Sequence, residues 1–433
     1  MDKQTIKQQV QLKGKKLLLM GGDVLSCDIV NKAHEMGLYV VVTDWYDPQR
    51  SPAKLLADEY WMTSIEDYDK LAKQIKEHHI DGVLTGFTDS YLLPYQHLCE
   101  ITGLPCYGTK EQFQIFTNKD QYKRLCREYG VPSIEEFSVD AKNIKFPVLV
   151  KPVDGSGSRG VVICNDREEL SEAVAQSKAS SRQGRVIIER YMDCPEATVF
   201  WLFDDGEYYL SMIGNRHVKH NQDGNIIPLP VGYTFPSYLT PKYQEEVVEN
   251  AKRMFKSVGV KNGIMFMQCK VEDGTCYVYD IGYRLTGSRE YKIQERVCGY
   301  DTLAMLINFA LTGKMWVEDI AERIDPCGMQ PSFNVSTLCA PGTIKEISGL
   351  ERVMEFPEVI DSVCAHYPGQ TITEEMKGLL AQIAVRTIGT VADKSQLYPM
   401  MKKIEDTIQI ISDRGENLVL PGIEEKDVLN VIL

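Results

Sequence analysis

Between residues 16 and 108 the chain alternates apolar strand patterns with helical ones, and this alternation constrains its fold more than any other feature. Residues 16–20, 38–44 and 82–85 read as short apolar or β-branched strands. Residues 24–36, 68–78 and 92–102 carry helical periodicity, the last stopping before Pro105. Strands spaced by helices need crossover connections, which implies an α/β fold with a parallel sheet covered on both faces. Gly21-Gly22 after the first strand, with Asp44 closing the second, invites a dinucleotide-binding reading. The full glycine fingerprint fails in either register. Counting from Gly21 puts Asp23 and Ser26 at the later glycine positions, and taking Gly22 as the second glycine puts Met20 and Leu25 there. A tight strand-to-helix turn is the plainer account of the pair.

Residues 113–131 form a helix-rich bridge stopped by Gly130-Val131-Pro132. Strand patterns then dominate, with helices expected at 167–177, 241–258 and 303–311, the last ending at Gly313. From Phe333 onward, Pro341-Gly342, Ser348-Gly349, Pro368-Gly369 and Arg414-Gly415 punctuate short β segments. One late helix, 396–407, sits between strands at 383–391 and 408–412. Three domains follow, 1–112, 113–332 and 333–433, the last leaning antiparallel. No low-complexity linker separates them, so tight packing is expected.

Composition excludes several roles. A net charge of −13 argues against a general nucleic-acid surface, which needs clustered Lys and Arg. No segment approaches the roughly 18 uncharged apolar residues of a membrane span. Residues 1–16 are polar and rich in Lys and Gln, unlike a secretory signal. The 12 cysteines are scattered singly, which suits reduced thiols in the cytoplasm.

The chemistry concentrates in four places. A strand at 146–150 delivers Lys151 into a loop with Gly155, Gly157 and Gly160. Such glycines let backbone N–H groups turn toward an anion, while Ser156, Ser158 and Arg159 add donors; a flexible hairpin tip is the bland alternative. Glu189, Arg190, Tyr191 and Met192 leave the apolar strand 186–188, where backbone atoms can serve an adenine edge, and Glu196 opens the next strand, where its carboxylate can accept from ribose hydroxyls. Both acids could equally face solvent at strand ends. Residues 215–220 crowd Arg216, His217, Lys219 and His220 into one strand, with Arg216, Val218 and His220 facing one way and His217 and Lys219 the other. Finally, Gln268 and Asp280 lie 12 residues apart, joined through an Asp273-Gly274 turn. Their oxygens are hard ligands of the Mg²⁺ type, and Arg284 lies four residues beyond.

Taken in order, these features resemble the ATP-grasp superfamily through essentially the whole chain. The resemblance implies a Rossmann-like pre-ATP-grasp domain, an ATP-grasp fold of α+β type and a C-terminal domain like that of biotin carboxylase. Asn118-Lys119-Asp120 resembles the family's first nucleotide lysine, and Lys151-Pro152 with its loop resembles the second lysine and the triphosphate lid. Glu189 to Met192 resembles the adenine linker and Glu196 the ribose acid. Arg216-His217-Val218-Lys219 is similar to the Arg-His-x-Lys of biotin carboxylase. Gln268, Asp280 and Arg284 fall at the two metal ligands and the catalytic arginine. One departure stands out: the family's Glu-x-Asn-x-Arg reads Asp280-Ile281-Gly282-Tyr283-Arg284 here.

The resemblance implies an ATP-dependent carboxylate–amine ligase that uses ATP with Mg²⁺ or Mn²⁺, passes through an acyl phosphate and accepts an amine or a thiol. Its partners would be small-molecule substrates and a second copy of itself, with no nucleic acid and no membrane. The alternatives are a bicarbonate-activating carboxylase or carbamoyl-phosphate-synthase-like enzyme, and a nucleotide-binding module with little turnover. No Met-Lys-Met biotin acceptor is present.

Overall fold

The computed structural model of the protein describes residues 12–154, 160–219, 229–315 and 319–429. Its first layer is a four-stranded parallel sheet in the order Glu59–Trp61, Tyr39–Thr43, Lys16–Met20, Gly82–Thr85. Leu17, Leu18, Leu19, Val40, Val41 and Val42 are all buried, as strands covered on both faces must be. The edge strand Glu59–Trp61 has only Trp61 buried, so no apolar run marks it in the sequence. Gly21-Gly22 makes a packed turn in which a Cβ would meet the Tyr91 ring or the Ser51 hydroxyl. Asp44 ties that turn, accepting from the Gly22 N–H at 2.9 Å and the Ser51 hydroxyl at 2.7 Å and pairing with Lys54 at 2.7 Å.

Helices Lys110–Thr117 and Lys119–Tyr129 lead to a four-stranded antiparallel sheet, in the order Glu136–Phe137, Val186–Arg190, Val148–Pro152, Val162–Cys164. Helix Leu170–Ala179 covers it, packing Leu170 and Ala173 on Val148, Val150 and Ile188. An eight-stranded antiparallel sheet follows, in the order Thr275–Gly282, Gly263–Glu272, Glu196–Asp204, Glu207–Lys219, Leu229–Phe235, Ser332–Leu338, Ile383–Thr390, Val359–Cys364. It runs unbroken past residue 332, pairing Phe235 with Ser332 and Gly232 with Val335. The single helix expected at 241–258 is two, Thr240–Glu246 and Val248–Ser257, jointed at Val247.

Long-range contacts fasten the first sheet to the rest. Helix Thr302–Thr312 lies on it at Gly82, where a Cβ would run into the Ala310 carbonyl. The Tyr107 and Tyr283 hydroxyls each donate to the other residue's carbonyl at 3.1 Å, fixing the start of the segment that carries Arg284. The C-terminal strands Thr371–Ile372, Gly342–Ser348 and Gln409–Ser412 form a small sheet, and with helix Leu397–Thr407 they enclose a second core around Ile344, Met401 and Ile410.

Candidate active site

Two sheets and one helix start converge on a single cluster of charges. Asn118 caps helix Lys119–Tyr129, accepting the Gln121 N–H at 3.2 Å. The Lys119 N–H donates to the Val153 carbonyl at 3.1 Å, which pins this helix start to the end of strand Val148–Pro152. Lys119 and Lys151 therefore arrive together. Lys119 Nζ lies 3.4 Å from Asp280 Oδ1. Lys151 is buried, donates to the Tyr279 carbonyl at 3.2 Å and pairs with Glu189. The second partner of Glu189 is Lys123, one helical turn beyond Lys119. Burial pushes the Lys151 ammonium down to about 8, Glu189 opposes this, and Lys123 and Lys119 reinforce it. Burial works to raise the Glu189 carboxyl, but the two lysines outweigh it and hold it below the ordinary range.

A second cluster adjoins the first through Tyr279. Cross-strand register sets Lys270, Glu196 and Arg216 side by side on three neighbouring strands. Glu196 pairs with Lys270 at 2.8 Å and with Arg216, and accepts from the Tyr279 hydroxyl at 2.9 Å. Its carboxyl is held below the ordinary range: burial raises it, and Arg216 and Lys270 overcome the burial. The oxygens expected to face ribose hydroxyls thus already have partners. Arg216 Nε also donates to the Tyr233 hydroxyl at 3.1 Å. At the strand exit, Arg190 turns to Glu272 at 3.0 Å, the Tyr191 N–H donates to the Pro147 carbonyl at 3.2 Å, and Met192 is buried.

The hairpin turns on Asp273 and Gly274, both left-handed (φ 51° and 72°), and sets Gln268 directly opposite Asp280. One carboxylate and one amide oxygen suit Mg²⁺, which binds through one or two carboxylates plus substrate phosphates. Among the described residues no group of three His, Cys, Asp or Glu side chains stands ready to hold a metal ion, so the donor set fits Mg²⁺ carried by a nucleotide better than the free ion. Gly282 has a packing reason: a Cβ there would run into the ring of Phe266, its cross-strand partner. The Arg284 guanidinium lies 5.2 Å from the centre of that same ring. Arg284 also grips Asp89, just past parallel strand Gly82–Thr85, with Nε and Nη2 each 2.6 Å from one carboxylate oxygen.

The cations of 216–219 do not act as one group. A register shift beside His217 leaves Val231 as the extra residue of the facing strand, since His217 pairs with Gly232 and Val218 with Pro230. His217 is buried against the Thr234 hydroxyl at 2.9 Å, and burial pushes its imidazole down to about 4, so it is neutral at pH 7. Lys219 donates to the Pro421 carbonyl and shares no partner with Arg284 among the described residues. The strand end carries Lys219 to the C-terminal segment. Gly155, Ser156, Gly157, Ser158, Arg159 and His220 lie outside the described residues. Three charged neighbours escaped the sequence reading. Lys123 sits four residues after Lys119 on a helix and Lys270 two after Gln268 on a strand, both readable from periodicity. Asp89 carries no signal beyond lying past the end of a parallel strand.

Residues 144–290 match the ATP-grasp domain model. The chain is 23% identical to the 2-oxoglutarate carboxylase small subunit of Hydrogenobacter thermophilus, over 68% of this chain and 66% of that one. It is 22% identical to the carbamoyl phosphate synthase large chain of Clostridium beijerinckii, over 68% of this chain and 28% of that one. The chain thus spans less than two thirds of the length of these relatives. The structure superposes on that of an L-amino acid ligase from Bacillus licheniformis with a TM-score of 0.75 at 21% identity, covering 93% of this chain and 99% of that one.

Proposed function

We propose that this chain, which belongs to the ATP-grasp superfamily, is an ATP- and Mg²⁺-dependent ligase joining a small carboxylate to an amine. The observation that carries the reading is the meeting of Lys119, Lys151 and Asp280 at the mouth between the two antiparallel sheets. Two cations from one side and a carboxylate–amide pair from the other are the parts a metal–triphosphate needs. The likeness to an L-amino acid ligase supports an amine as the acceptor.

In this reading the γ-phosphoryl group passes to an oxygen of the substrate carboxylate and ADP leaves. The amine nitrogen then attacks the acyl carbon, phosphate departs and the nitrogen loses a proton. Lys119 and Lys151 neutralise phosphate oxygens, and Gly155 to Arg159 would supply further N–H and side-chain donors to them. Asp280 and Gln268 would hold Mg²⁺, which when bound draws negative charge off the phosphates. Arg190, Tyr191 and Met192 frame the base. Glu196 reaches the ribose by releasing one of its present partners, and Arg216 orients it. Neutral His217 positions strand Glu207–Lys219, and Arg284 faces the charge that develops at the transferring group.

The likeness to a carboxylase subunit and a carbamoyl phosphate synthase favours a second reading, bicarbonate activation. Hydroxylamine separates the two. The ligase gives a hydroxamate with ATP, Mg²⁺ and the correct organic acid. Turnover that requires bicarbonate and yields no hydroxamate overturns the ligase reading. We further propose a cytoplasmic enzyme, a placement that suits 12 unpaired cysteines, and a homodimer, which sedimentation velocity would test.

A further inference from the structure

The segment from Arg284 to Arg289 crosses the eight-stranded sheet and brings together arginines from three elements. Arg216 is paired with Glu196, Arg284 with Asp89, and Arg289 with Asp28 and Asp361. The side chain of Arg386, on strand Ile383–Thr390, has no hydrogen bond and no ion pair among the described residues, and it is only half-buried. Its Nη1 comes to 3.8 Å from where a Cβ on Gly287 would stand and Leu25 Cδ1 to 3.3 Å, so glycine at 287 lets both side chains approach the backbone there. Around it stand Tyr233, Arg289, Glu290 and Tyr291.

Arg289 makes the arrangement more pointed. Its side chain is 2% exposed, yet Nη1 is buried with no hydrogen-bond partner. Leaving a guanidinium donor unmade is costly, and two guanidiniums close together repel. Arg289 is also held in left-handed backbone (φ 62°), a conformation a non-glycine residue keeps only where its surroundings impose it. Glu290, the carboxylate that acts on Arg386, is already spent on the Thr286 and Ser288 hydroxyls. Burial holds the Glu290 carboxyl above the ordinary range, which weakens it as a counter-charge.

We propose that Arg386, reinforced by the charge of the buried Arg289 beside it, binds a carboxylate carried by the amine substrate, so that the nucleophile is an amino acid. The inference rests on the ligase reading. Two residues, Leu285 and Thr286, separate Arg284 from Gly287, so their Cα atoms stand at most about 10 Å apart. An α-amino acid held at Arg386 therefore lies within reach of an acyl group at Arg284. Arg386 is here a specificity residue: it touches the substrate and takes no part in bond making.

The test compares wild type with Arg386→Met and Arg386→Lys, using the common amino acids and their α-amides, each added singly with Mg²⁺ and a non-hydrolysable ATP analogue. At least one free amino acid should raise the melting temperature of the wild type while its amide does not. Arg386→Met should weaken that binding roughly 10- to 100-fold, with Arg386→Lys intermediate and the shift due to the ATP analogue unchanged in both. Amides binding as well as acids, no acid binding the wild type, or full binding by folded Arg386→Met would each overturn the proposal. ADP release assayed alongside separates the two readings. Acid-dependent binding without turnover under any acid–amine pair defeats the ligase and keeps the subsite; turnover that accepts amides and ignores Arg386 does the reverse.

Discussion

Arg284 and Asp89 form a two-point ion pair that ties the segment after strand Thr275–Gly282 to the residues just past parallel strand Gly82–Thr85, each bond 2.6 Å long. Fork-on-carboxylate geometry fixes direction as well as distance. In Asp89→Asn the guanidinium keeps a neighbour of the same shape but loses the charge that balances it. Because Asp89 is 30% exposed, the loss of stability should be about 1–3 kcal/mol, below the range for a fully buried pair. If Arg284 serves the transferring group, turnover should fall more than ATP affinity. Calorimetric ATP binding that weakens as much as turnover would place the pair at the nucleotide instead.

Lys151 should make ATP binding depend on pH in a narrow window. Its ammonium is lowered to about 8 in the free protein, so a phosphate-bound, charged Lys151 must take up a proton above that pH. Affinity should be flat below about 8 and weaken by up to roughly tenfold per pH unit above it. Stability runs the other way. The unfolded lysine keeps its proton up to its ordinary 10.5, so the unfolded chain binds more protons between the two values and stability rises across that window. Arg in place of Lys151 should abolish both trends, and Lys151→Ala should cost about 1.5–3 kcal/mol of ATP binding. Titration calorimetry across pH 7–10, with a chemical denaturation series, checks each limb; a flat affinity profile for the wild type excludes Lys151 from the phosphates.

Periodicity carried the reading of the fold a long way, because the parallel strands are nearly all apolar and the Asp273-Gly274 turn sets the hairpin register locally. It ran short where a partner comes from far along the chain. The Arg284–Asp89 pair bridges 195 positions and the Arg289–Asp28 pair 261, and no local pattern encodes either. The Lys123–Glu189–Lys151 cluster was half visible, since two of its members stood in motifs and the third looked like one more helix-surface lysine.

Metal dependence should centre on Asp280, the carboxylate that faces Gln268 across the hairpin. Asp280→Asn removes the charged oxygen and should abolish Mg²⁺-dependent turnover while leaving the fold intact, since Asp280 is 37% exposed and bears no buried packing. Gln268→Ala removes only a neutral ligand, so its effect should be milder and recoverable at higher Mg²⁺. Activity measured against Mg²⁺ concentration decides the matter. A Gln268→Ala defect as deep as that of Asp280→Asn and deaf to added metal would reassign both residues to a structural role.

Gly282 stands where the resembled Glu-x-Asn-x-Arg pattern has Asn, and Phe266 explains why a side chain cannot simply be placed there. The two residues face each other across paired strands, and the ring of Phe266 fills the volume a Cβ at 282 would need. Gly282→Asn alone should therefore behave as overpacking, destabilising by about 1–3 kcal/mol without improving Mg²⁺ affinity. Phe266→Ala alone opens a cavity and removes the ring beneath Arg284, so it should lose stability and turnover together. The double variant should recover part of the stability that the two changes lose separately, a coupling expected between residues in contact. It should also tighten Mg²⁺ in the presence of ATP, because the amide then gains the space to reach a second ion beside Asp280. A double-mutant cycle in denaturant, with Mg²⁺ titrations of all four proteins, measures both effects. Additive stabilities would show that Phe266 is not what excludes a side chain at 282, and coupled stabilities with unchanged Mg²⁺ affinity would show that the second metal position has been lost for another reason.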